Sequence, residues 1–330
     1  MATRRRVAMG ARYAKNMATQ RRVTMPPATR RPETEMNKWL LLSAVVSSAV
    51  AVILLSRAAS GEADKAAAKA APPLAKEWKL VWADEFDADG PPDPKKWGYE
   101  EGFVRNDEAQ YYTRARKENA RVENGMLVIE GRKEKFPNPH FDANAKSGPN
   151  SRANAEYTAA SLVTLHKADW KFGRVEVRAK LPQGKGVWPA IWMLGTDIHK
   201  VGWPACGEID IMEFVGHEPG FTHATVHFQK NGKHASSGQK LAVEKPWEDF
   251  HVYAMEWFPD RMDFYFDAEK VHTFPLREAE EKGENPFLKP QYLLVNLALG
   301  GSWGGKIDDS IFPQKFLIDY VRVYQREDAK

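Results

Sequence analysis

Hydrophobic and polar residues alternate with a period of two along several short segments of the chain. The clearest run is residues 174–181, and residues 126–130, 251–257 and 316–324 repeat the pattern. Side chains of a β-strand point alternately to opposite faces, so this period predicts strands that each bury one face. Long amphipathic helical patterns are absent. Many short strands separated by turns are typical of an antiparallel β-sandwich or barrel, so the predicted fold class is all-β.

Turn and loop signals separate these strands. Pro259-Asp260-Arg261 divides residues 251–258 from residues 262–267 and predicts a β-hairpin. Residues 267–270 predict a second turn, which leads into a strand at residues 271–274. Residues 133–155 are polar and rich in Asn, Pro and Ala. We interpret that stretch as a long surface loop.

The first 76 residues follow a different pattern. Residues 1–35 are basic and lack apolar periodicity, which predicts a disordered leader or sequence upstream of a true start at Met36. Residues 36–60 combine a charged start, an apolar run and small residues at the end, which is the layout of a secretory signal peptide. Residues 61–76 are rich in Ala and Lys and predict a linker. The remaining residues, 77–330, form the predicted folded domain.

The signal-like segment sets the expected location. We expect export to the extracellular or periplasmic space, with a mature chain that begins near Gly61. The apolar run from Trp39 to Leu55 is close to the length of a membrane span, so retention as an N-terminal membrane anchor stays open.

The positive net charge of the whole chain does not describe the domain. The formal charge is +4, but residues 1–35 hold eight Arg and one Lys against two Glu, and residues 36–76 hold five basic and two acidic side chains. The remaining residues therefore carry a net charge of −6. Nucleic-acid binding needs a positive surface, so the charge distribution argues against a nucleic-acid partner.

The single cysteine, Cys206, excludes an intramolecular disulfide and a cysteine-based metal site. It lies two residues before Glu208, and we interpret it as a small buried residue rather than a catalytic thiol. The chain also contains 11 Trp, many of which could pack in the core, although carbohydrate clefts also use Trp faces to cover the flat C–H surfaces of sugars.

Three carboxylates lie close together at Glu208, Asp210 and Glu213. Glu208 and Asp210 share one face of a strand, but Glu213 would point to the opposite face. A β-bulge near Met212 would add one residue and restore a common face. The outer carboxyls would then lie about 5 Å apart, which suits a retaining glycosidase rather than an inverting one. A solvent-exposed acidic face of a strand that has no catalytic role would show the same spacing.

The stretch Glu208-x-Asp210-x-x-Glu213 resembles the bulged signature of glycoside hydrolase family 16, as found in laminarinases. Further segments resemble the family in the same order, namely residues 80–86, 105–112, 173–181, 186–195, 202–204, 225–227, 296–301 and 319–324. The resemblance implies a concanavalin A-like β-jelly roll with a substrate cleft on its concave sheet. It also implies Glu208 as nucleophile, Asp210 as its helper and Glu213 as acid/base.

The same resemblance implies the residues that bind substrate and metal. The glucan cleft would be lined by Asn106, Trp188, Trp192, His227 and Trp303. No catalytic cofactor is expected. A structural Ca²⁺ away from the cleft would take a side-chain oxygen of Asp319 and the backbone of Glu85 and Gly125.

The resulting hypothesis is a monomeric, endo-acting β-1,3-glucanase whose partner is β-glucan polysaccharide. Two alternatives stay open. The same fold can act on mixed-linkage glucan or another β-linked polysaccharide, and a sandwich of this kind can also serve as a catalytically inactive carbohydrate-binding module.

Overall fold

The computed structural model describes residues 77–327, which form two large β-sheets. The first sheet contains, in spatial order, β15 (Glu269–Pro275), β14 (Arg261–Phe266), β13 (His251–Trp257), β8 (Gly173–Lys180), β17 (Gln314–Arg326), β5 (Leu127–Pro137), β6 (Asn154–Ala159) and β3 (Gln110–Tyr112). Two further strands join its members, β1 (Trp78–Asp84) beside β17 and β4 (Ala120–Val122) beside β5.

The second sheet carries the cleft. Its order is β12 (Lys233–Ala242), β11 (Phe221–Lys230), β10 (Glu208–Glu213), β9 (Val187–Gly195), β16 (Gln291–Leu299), β7 (Ser161–Val163) and β2 (Gly98–Tyr99). Strand pairs in both sheets are antiparallel, apart from the parallel pair β3–β6. The helical segments are short, namely Pro149–Ser151, Ile198–Val201, Leu276–Ala279, Pro286–Leu288, Gly301–Gly304 and Asp309–Ile311.

The hydrophobic core lies between the two sheets. Val175 and Val177 of β8 belong to the same buried cluster as Ile191 and Met193 of β9, so apolar side chains of both sheets meet there. The alternate residues of β9, such as Trp192, point away from this cluster. This arrangement confirms the predicted all-β antiparallel sandwich of the jelly-roll type.

The predicted strands and turns agree with the structure in most places. The hairpin at Pro259-Asp260 joins β13 to β14, and the next turn joins β14 to β15. The predicted loop over residues 133–155 is wrong at its start, because β5 continues to Pro137. That extension pairs with β6, as in Lys133 opposite Tyr157, so the loop covers only residues 138–153.

The predictions for residues 1–35, 36–60 and 61–76 lie outside the described residues. Within residues 77–327 no helix is long and apolar enough to cross a membrane. The apolar run from Trp39 to Leu55 lies outside these residues.

Candidate active site

A β-bulge in β10 gives the three carboxylates a common face. Asp210 lies opposite Trp192 of β9 and Met212 lies opposite Ile191, so Ile211 is the additional residue. Ile211 and Met212 are both buried in the core, at 3% and 1% exposure. The side chain at position 213 therefore returns to the outer face of the sheet, which confirms the bulge predicted near Met212.

The outer face of the second sheet forms a cleft of about 650 Å³. All eight residues predicted for catalysis and substrate binding line it, namely Asn106, Trp188, Trp192, Glu208, Asp210, Glu213, His227 and Trp303. The cleft is also lined by residues that the sequence did not indicate as site residues, among them Arg105, Glu108, Trp203, His223, His234 and Asn296.

Asp210 is the most buried of the three acids, at 2% exposure. Burial, the charge of Glu208 and a hydrogen bond shared with Glu208 raise the pKa of Asp210 well above its ordinary value. The Nε2 atom of His227 lies 3.2 Å from Oδ2 of Asp210, although the contact lacks hydrogen-bond geometry. A proton on Asp210 therefore lets it donate to Glu208 and keeps the buried pair from carrying two negative charges.

Glu213 lies at the other end of the carboxylate row. Burial raises its pKa well above the ordinary value, and the negative charge that Asp210 and Glu208 share adds to the rise. The indole Nε1 of Trp188 donates a hydrogen bond to Oε1 of Glu213 at 3.0 Å, which partly opposes that rise. Glu213 is therefore held as a protonated acid that can give its proton to a bound group.

Tryptophans extend the cleft on both sides of the acids. Trp203, which is 50% exposed, donates from Nε1 to Oε2 of Glu208 at 2.7 Å. Near Glu213, the Trp303 ring packs edge-on against Trp188, with centroids 5.5 Å apart, and against His223 at 4.9 Å. Aromatic faces of this kind suit sugar rings on either side of the carboxylates.

Trp192 is fixed by polar contacts at the floor of the cleft. Its Nε1 donates to Oδ1 of Asn296 at 2.7 Å, and Nδ2 of Asn296 donates to the Tyr112 hydroxyl at 2.9 Å. The Arg105 guanidinium lies over the Trp192 ring, 4.9 Å from its centroid. These contacts hold the indole in one orientation.

Asn106 lies on a loop at the rim of the cleft. Its Nδ2 donates to Oε1 of Glu108 at 3.4 Å, and its backbone carbonyl accepts from Ser302 N at 2.8 Å. Burial raises the pKa of Glu108, which also accepts a hydrogen bond from Gln110 at 2.7 Å. The loop is thereby attached to the segment that carries Trp303.

His227 is in contact with a second histidine that the sequence analysis missed. Its Nδ1 lies 2.8 Å from Nε2 of His234, and the Trp203 ring packs on His234 at a centroid distance of 4.7 Å. His234 belongs to β12, which reaches this position through the two-residue turn Asn231-Gly232. Asn-Gly between two strands is a strong hairpin signal, so the pairing of β11 with β12 could have been predicted.

Cys206 is fully buried at the start of β10, as expected from its small apolar side chain. Burial raises the pKa of its thiol to about 12, and the nearby charges of Glu208 and Asp197 act in the same direction. The thiol is therefore neutral at physiological pH, when a nucleophilic cysteine must be a thiolate.

The residues expected to bind calcium lie on or beside neighbouring strands of the first sheet. Glu85 follows β1, Gly125 lies in the turn before β5, and Asp319 lies at an irregularity of β17, which pairs with both strands. Oδ2 of Asp319 accepts from Arg178 at 2.8 Å. Ca²⁺ takes six to eight oxygen ligands. Asp319, the one side-chain ligand expected for the ion, is bound to the Arg178 guanidinium. These residues as placed therefore do not form such a shell, and calcium binding stays a prediction.

Comparison with known proteins identifies the family of the chain. Residues 107–322 match the family model described as glycosyl hydrolases family 16. The chain is 45% identical to a β-glucanase of Rhodothermus marinus over 265 residues, which is 76% of this chain and 86% of that protein. The solved laminarinase of R. marinus has a TM-score of 0.66 at 43% identity, covering 76% of this chain and 98% of that one.

A second solved structure, a non-specific endo-β-1,3(4)-glucanase of family 16, holds an oligosaccharide at its active site. It has a TM-score of 0.67 at 42% identity, covering 78% of this chain and 98% of that one. The family model spans more than half of the chain, and the R. marinus β-glucanase matches three-quarters of it. The chain therefore belongs to glycosyl hydrolases family 16 and is a glycoside hydrolase.

Proposed function

We propose that the protein is an endo-acting, retaining β-glucanase that cleaves β-1,3-linked glucan by double displacement. One observation carries the proposal. The bulge in β10 aligns Glu208, Asp210 and Glu213 along an open cleft that aromatic side chains extend on both sides. Relatives named as a β-glucanase, a laminarinase and an endo-β-1,3(4)-glucanase support a β-glucan as the substrate.

The three acids take different roles because their surroundings differ. Glu208 attacks the anomeric carbon and forms a glycosyl-enzyme ester. Asp210, protonated by burial and by the charge of Glu208, donates to that carboxylate and holds it in place. Glu213 keeps its proton, gives it to the leaving sugar oxygen, and then acts as the base that activates water.

Endo action follows from the position of the acids within the cleft. Trp203 lies beside Glu208, whereas Trp303 lies on the Glu213 side, against Trp188. Sugar residues can therefore bind on both sides of the cleaved bond, which allows attack within a chain.

A panel of purified glucans tests the substrate. We expect oligosaccharides of several lengths to be released early from laminarin, with slower release from mixed-linkage glucan. Faster cleavage of mixed-linkage glucan, or of another β-linked polysaccharide, would replace the β-1,3 assignment. Binding without any reducing-sugar release would indicate an inactive carbohydrate-binding module.

Stereochemistry tests the mechanism. Two displacements at one carbon cancel, so proton NMR within minutes of adding enzyme should show the β-anomer before mutarotation equilibrates it. The α-anomer appearing first would rule out Glu208 as a nucleophile.

Azide rescue separates the two glutamates. In Glu213→Ala the ester can still form from a substrate with a good leaving group, and azide, which needs no base, should release a β-glycosyl azide. In Glu208→Ala azide can only take the place of the nucleophile and should give the α-glycosyl azide. The same anomer from both variants would contradict the assignment.

We also propose export of the enzyme, because residues 36–60 have the layout of a secretory signal. N-terminal sequencing of exported protein should find a start near Gly61. Exported protein that still begins at or before Met36 would instead support a membrane anchor.

A further inference from the structure

One cluster in the cleft combines three groups that are suited to binding a metal ion. One ligand atom each from Glu208, Asp210 and His227 can be chosen so that all three lie within 4.8 Å of one another. We propose that Glu208, Asp210 and His227 form a binding site for a divalent transition-metal ion, with Zn²⁺ as the ion that suits it best. Because the proposed function places the nucleophile at Glu208, an ion held there would inhibit hydrolysis.

The gap between His227 and Asp210 has the dimensions of a tetrahedral metal site. Nε2 of His227 and Oδ2 of Asp210 lie 3.2 Å apart without hydrogen-bond geometry. Two ligands bound at about 2.0–2.2 Å around tetrahedral zinc are themselves separated by about 3.3–3.5 Å. An ion can therefore occupy the space between these atoms after only a small adjustment of the side chains.

An unpartnered oxygen also points to a ligand at this place. Asp210 is 2% exposed, and its Oδ2 atom has no hydrogen-bond partner among the described residues. A buried carboxylate oxygen without a partner is costly. A metal ion bound to it would supply both the missing partner and positive charge.

The charge balance of the cleft favours a cation. Among residues 77–327, no Lys or Arg forms an ion pair with Glu208, Asp210 or Glu213, and Arg105, the one such residue lining the cleft, is paired with Glu100. A divalent ion would take the place of the Asp210 proton, which is released on binding, and would supply the positive charge that no basic side chain gives to Glu208 and Asp210.

His234 completes the arrangement from outside the metal shell. Its Nε2 lies 2.8 Å from Nδ1 of His227. Histidines that bind metal ions usually donate their other ring N–H to a neighbouring acceptor, which leaves the ligating nitrogen unprotonated. Here His234 can accept from Nδ1 of His227, so that Nε2 of His227 keeps its lone pair towards Asp210.

The ligand set distinguishes between metal ions. One imidazole and two carboxylates suit Zn²⁺, whereas Mg²⁺ prefers an octahedral shell of oxygens and keeps several waters. The site should therefore discriminate strongly against Mg²⁺.

Calorimetric titration of the purified protein with ZnCl₂, in a buffer that does not chelate metals, tests binding directly. We expect one Zn²⁺ per chain and no competition from excess Mg²⁺. His227→Gln should weaken the binding of Zn²⁺ at least tenfold, since even a residue that only supports a metal ligand is worth about 10–100-fold in affinity. Asp210→Asn should weaken it as well, and thermal unfolding of each variant without metal shows whether the fold is kept.

His223→Gln is the matched control, because His223 lies on the same strand and lines the same cleft, opposite Glu213. This variant should bind Zn²⁺ like the unmodified protein. Unchanged affinity in both His227→Gln and Asp210→Asn would overturn the proposal, and so would an equal loss in His223→Gln.

Inhibition is measured separately. Zn²⁺ should slow the hydrolysis of laminarin, EDTA should restore the rate, and His227→Gln should need at least tenfold more Zn²⁺ for the same fractional inhibition of its own rate. A protein that cleaves no glucan but binds Zn²⁺ through His227 would contradict the proposed function and leave the metal site supported. An enzyme that cleaves glucan but does not bind Zn²⁺ would contradict the metal site and leave the proposed function supported.

Discussion

Two buried aspartates, one on each sheet, show what separates a structural carboxylate from a reactive one. Asp263, on the outer face of the first sheet, is 1% exposed, and Asp210, in the cleft of the second, is 2% exposed. Asp263 accepts hydrogen bonds from Thr273 at 2.6 Å and from Lys270 and Arg261 at 3.0 Å. Asp210 has an acidic neighbour, Glu208, and no basic side chain beyond histidine.

The pKa values of the two groups move in opposite directions although both are buried. Burial opposes the ionisation of Asp263, but the hydrogen bonds from Thr273, Lys270 and Arg261 outweigh it and lower the pKa. For Asp210, burial and Glu208 act together and raise the pKa. Burial alone therefore does not make a carboxylate a proton donor. The carboxylate must also lack positively charged partners.

The largest expected effect comes from neutralising the cleft acids. Glu208→Gln should reduce glucan hydrolysis by orders of magnitude, because an amide cannot attack the anomeric carbon. Glu213→Gln should reduce it by about 10²–10⁴-fold through loss of acid catalysis. Initial rates on laminarin, with circular dichroism to check the fold, measure both effects.

Asp263→Asn is the control on the other sheet and should retain most of the activity, because Asp263 is far from the cleft in the sandwich. Asp210→Asn should lose less activity than Glu208→Gln, since Asp210 forms no bond to the sugar. Near-normal activity of Glu208→Gln would remove the basis for the catalytic assignment.

The order of the two aspartate variants should be reversed for stability: Asp263→Asn should lose more stability than Asp210→Asn, although it loses less activity. Asp263→Asn leaves Arg261 and Lys270 without their carboxylate, and we expect a loss of about 1–2 kcal/mol in the free energy of unfolding because these partners are partly exposed. Asp210→Asn replaces a protonated acid by a neutral amide of the same shape and should leave that free energy nearly unchanged. Urea unfolding at neutral pH measures both; a larger loss for Asp210→Asn would contradict the comparison.

Much of the fold and of the carboxylate row was predictable because it depends on local periodicity. Glu208, Asp210 and Glu213 can share one face of the strand only if one residue is added between them, and the bulge at Ile211–Met212 supplies that residue. The strand extension to Pro137 was missed because residues 133–137 are charged on their exposed face and pair only with distant β6.

Contacts between distant segments were harder to predict. The proximity of His234 to His227 depends on the register of the β11–β12 hairpin, for which Asn231-Gly232 was the available signal. The stacking of Arg105 on Trp192 joins a loop to β9, and no spacing in the sequence indicates it. Such contacts depend on tertiary structure, which periodicity does not specify.

A smaller effect is expected from the hydrogen bond to Glu213. Trp188→Phe removes the indole N–H that stabilises the ionised form of Glu213, so the pKa of Glu213 should rise further. Glu213 must be protonated to act as an acid, and activity is lost as the pH rises through its pKa. The basic limb of the kcat/KM profile should therefore move to higher pH.

The shape of that profile is the measurement, because Trp188 also lines the cleft and its loss lowers the absolute rate. Trp192→Phe is the matched control, since the Trp192 N–H donates to Asn296 and not to a carboxylate. An equal displacement of the basic limb in both variants would show that cleft packing, and not the hydrogen bond, is responsible.

The smallest effect concerns Cys206, the single cysteine, which lies two residues before Glu208. Its raised pKa of about 12 keeps it neutral, and the carboxylate mechanism has no step for a thiol. Cys206→Ser keeps the side-chain volume nearly constant and should preserve a large share of the activity. Some stability should be lost, because a hydroxyl at a fully buried position needs a hydrogen-bond partner. The rate on laminarin and the melting temperature measure the two effects, and a folded but inactive Cys206→Ser protein would show that the acids do not act alone.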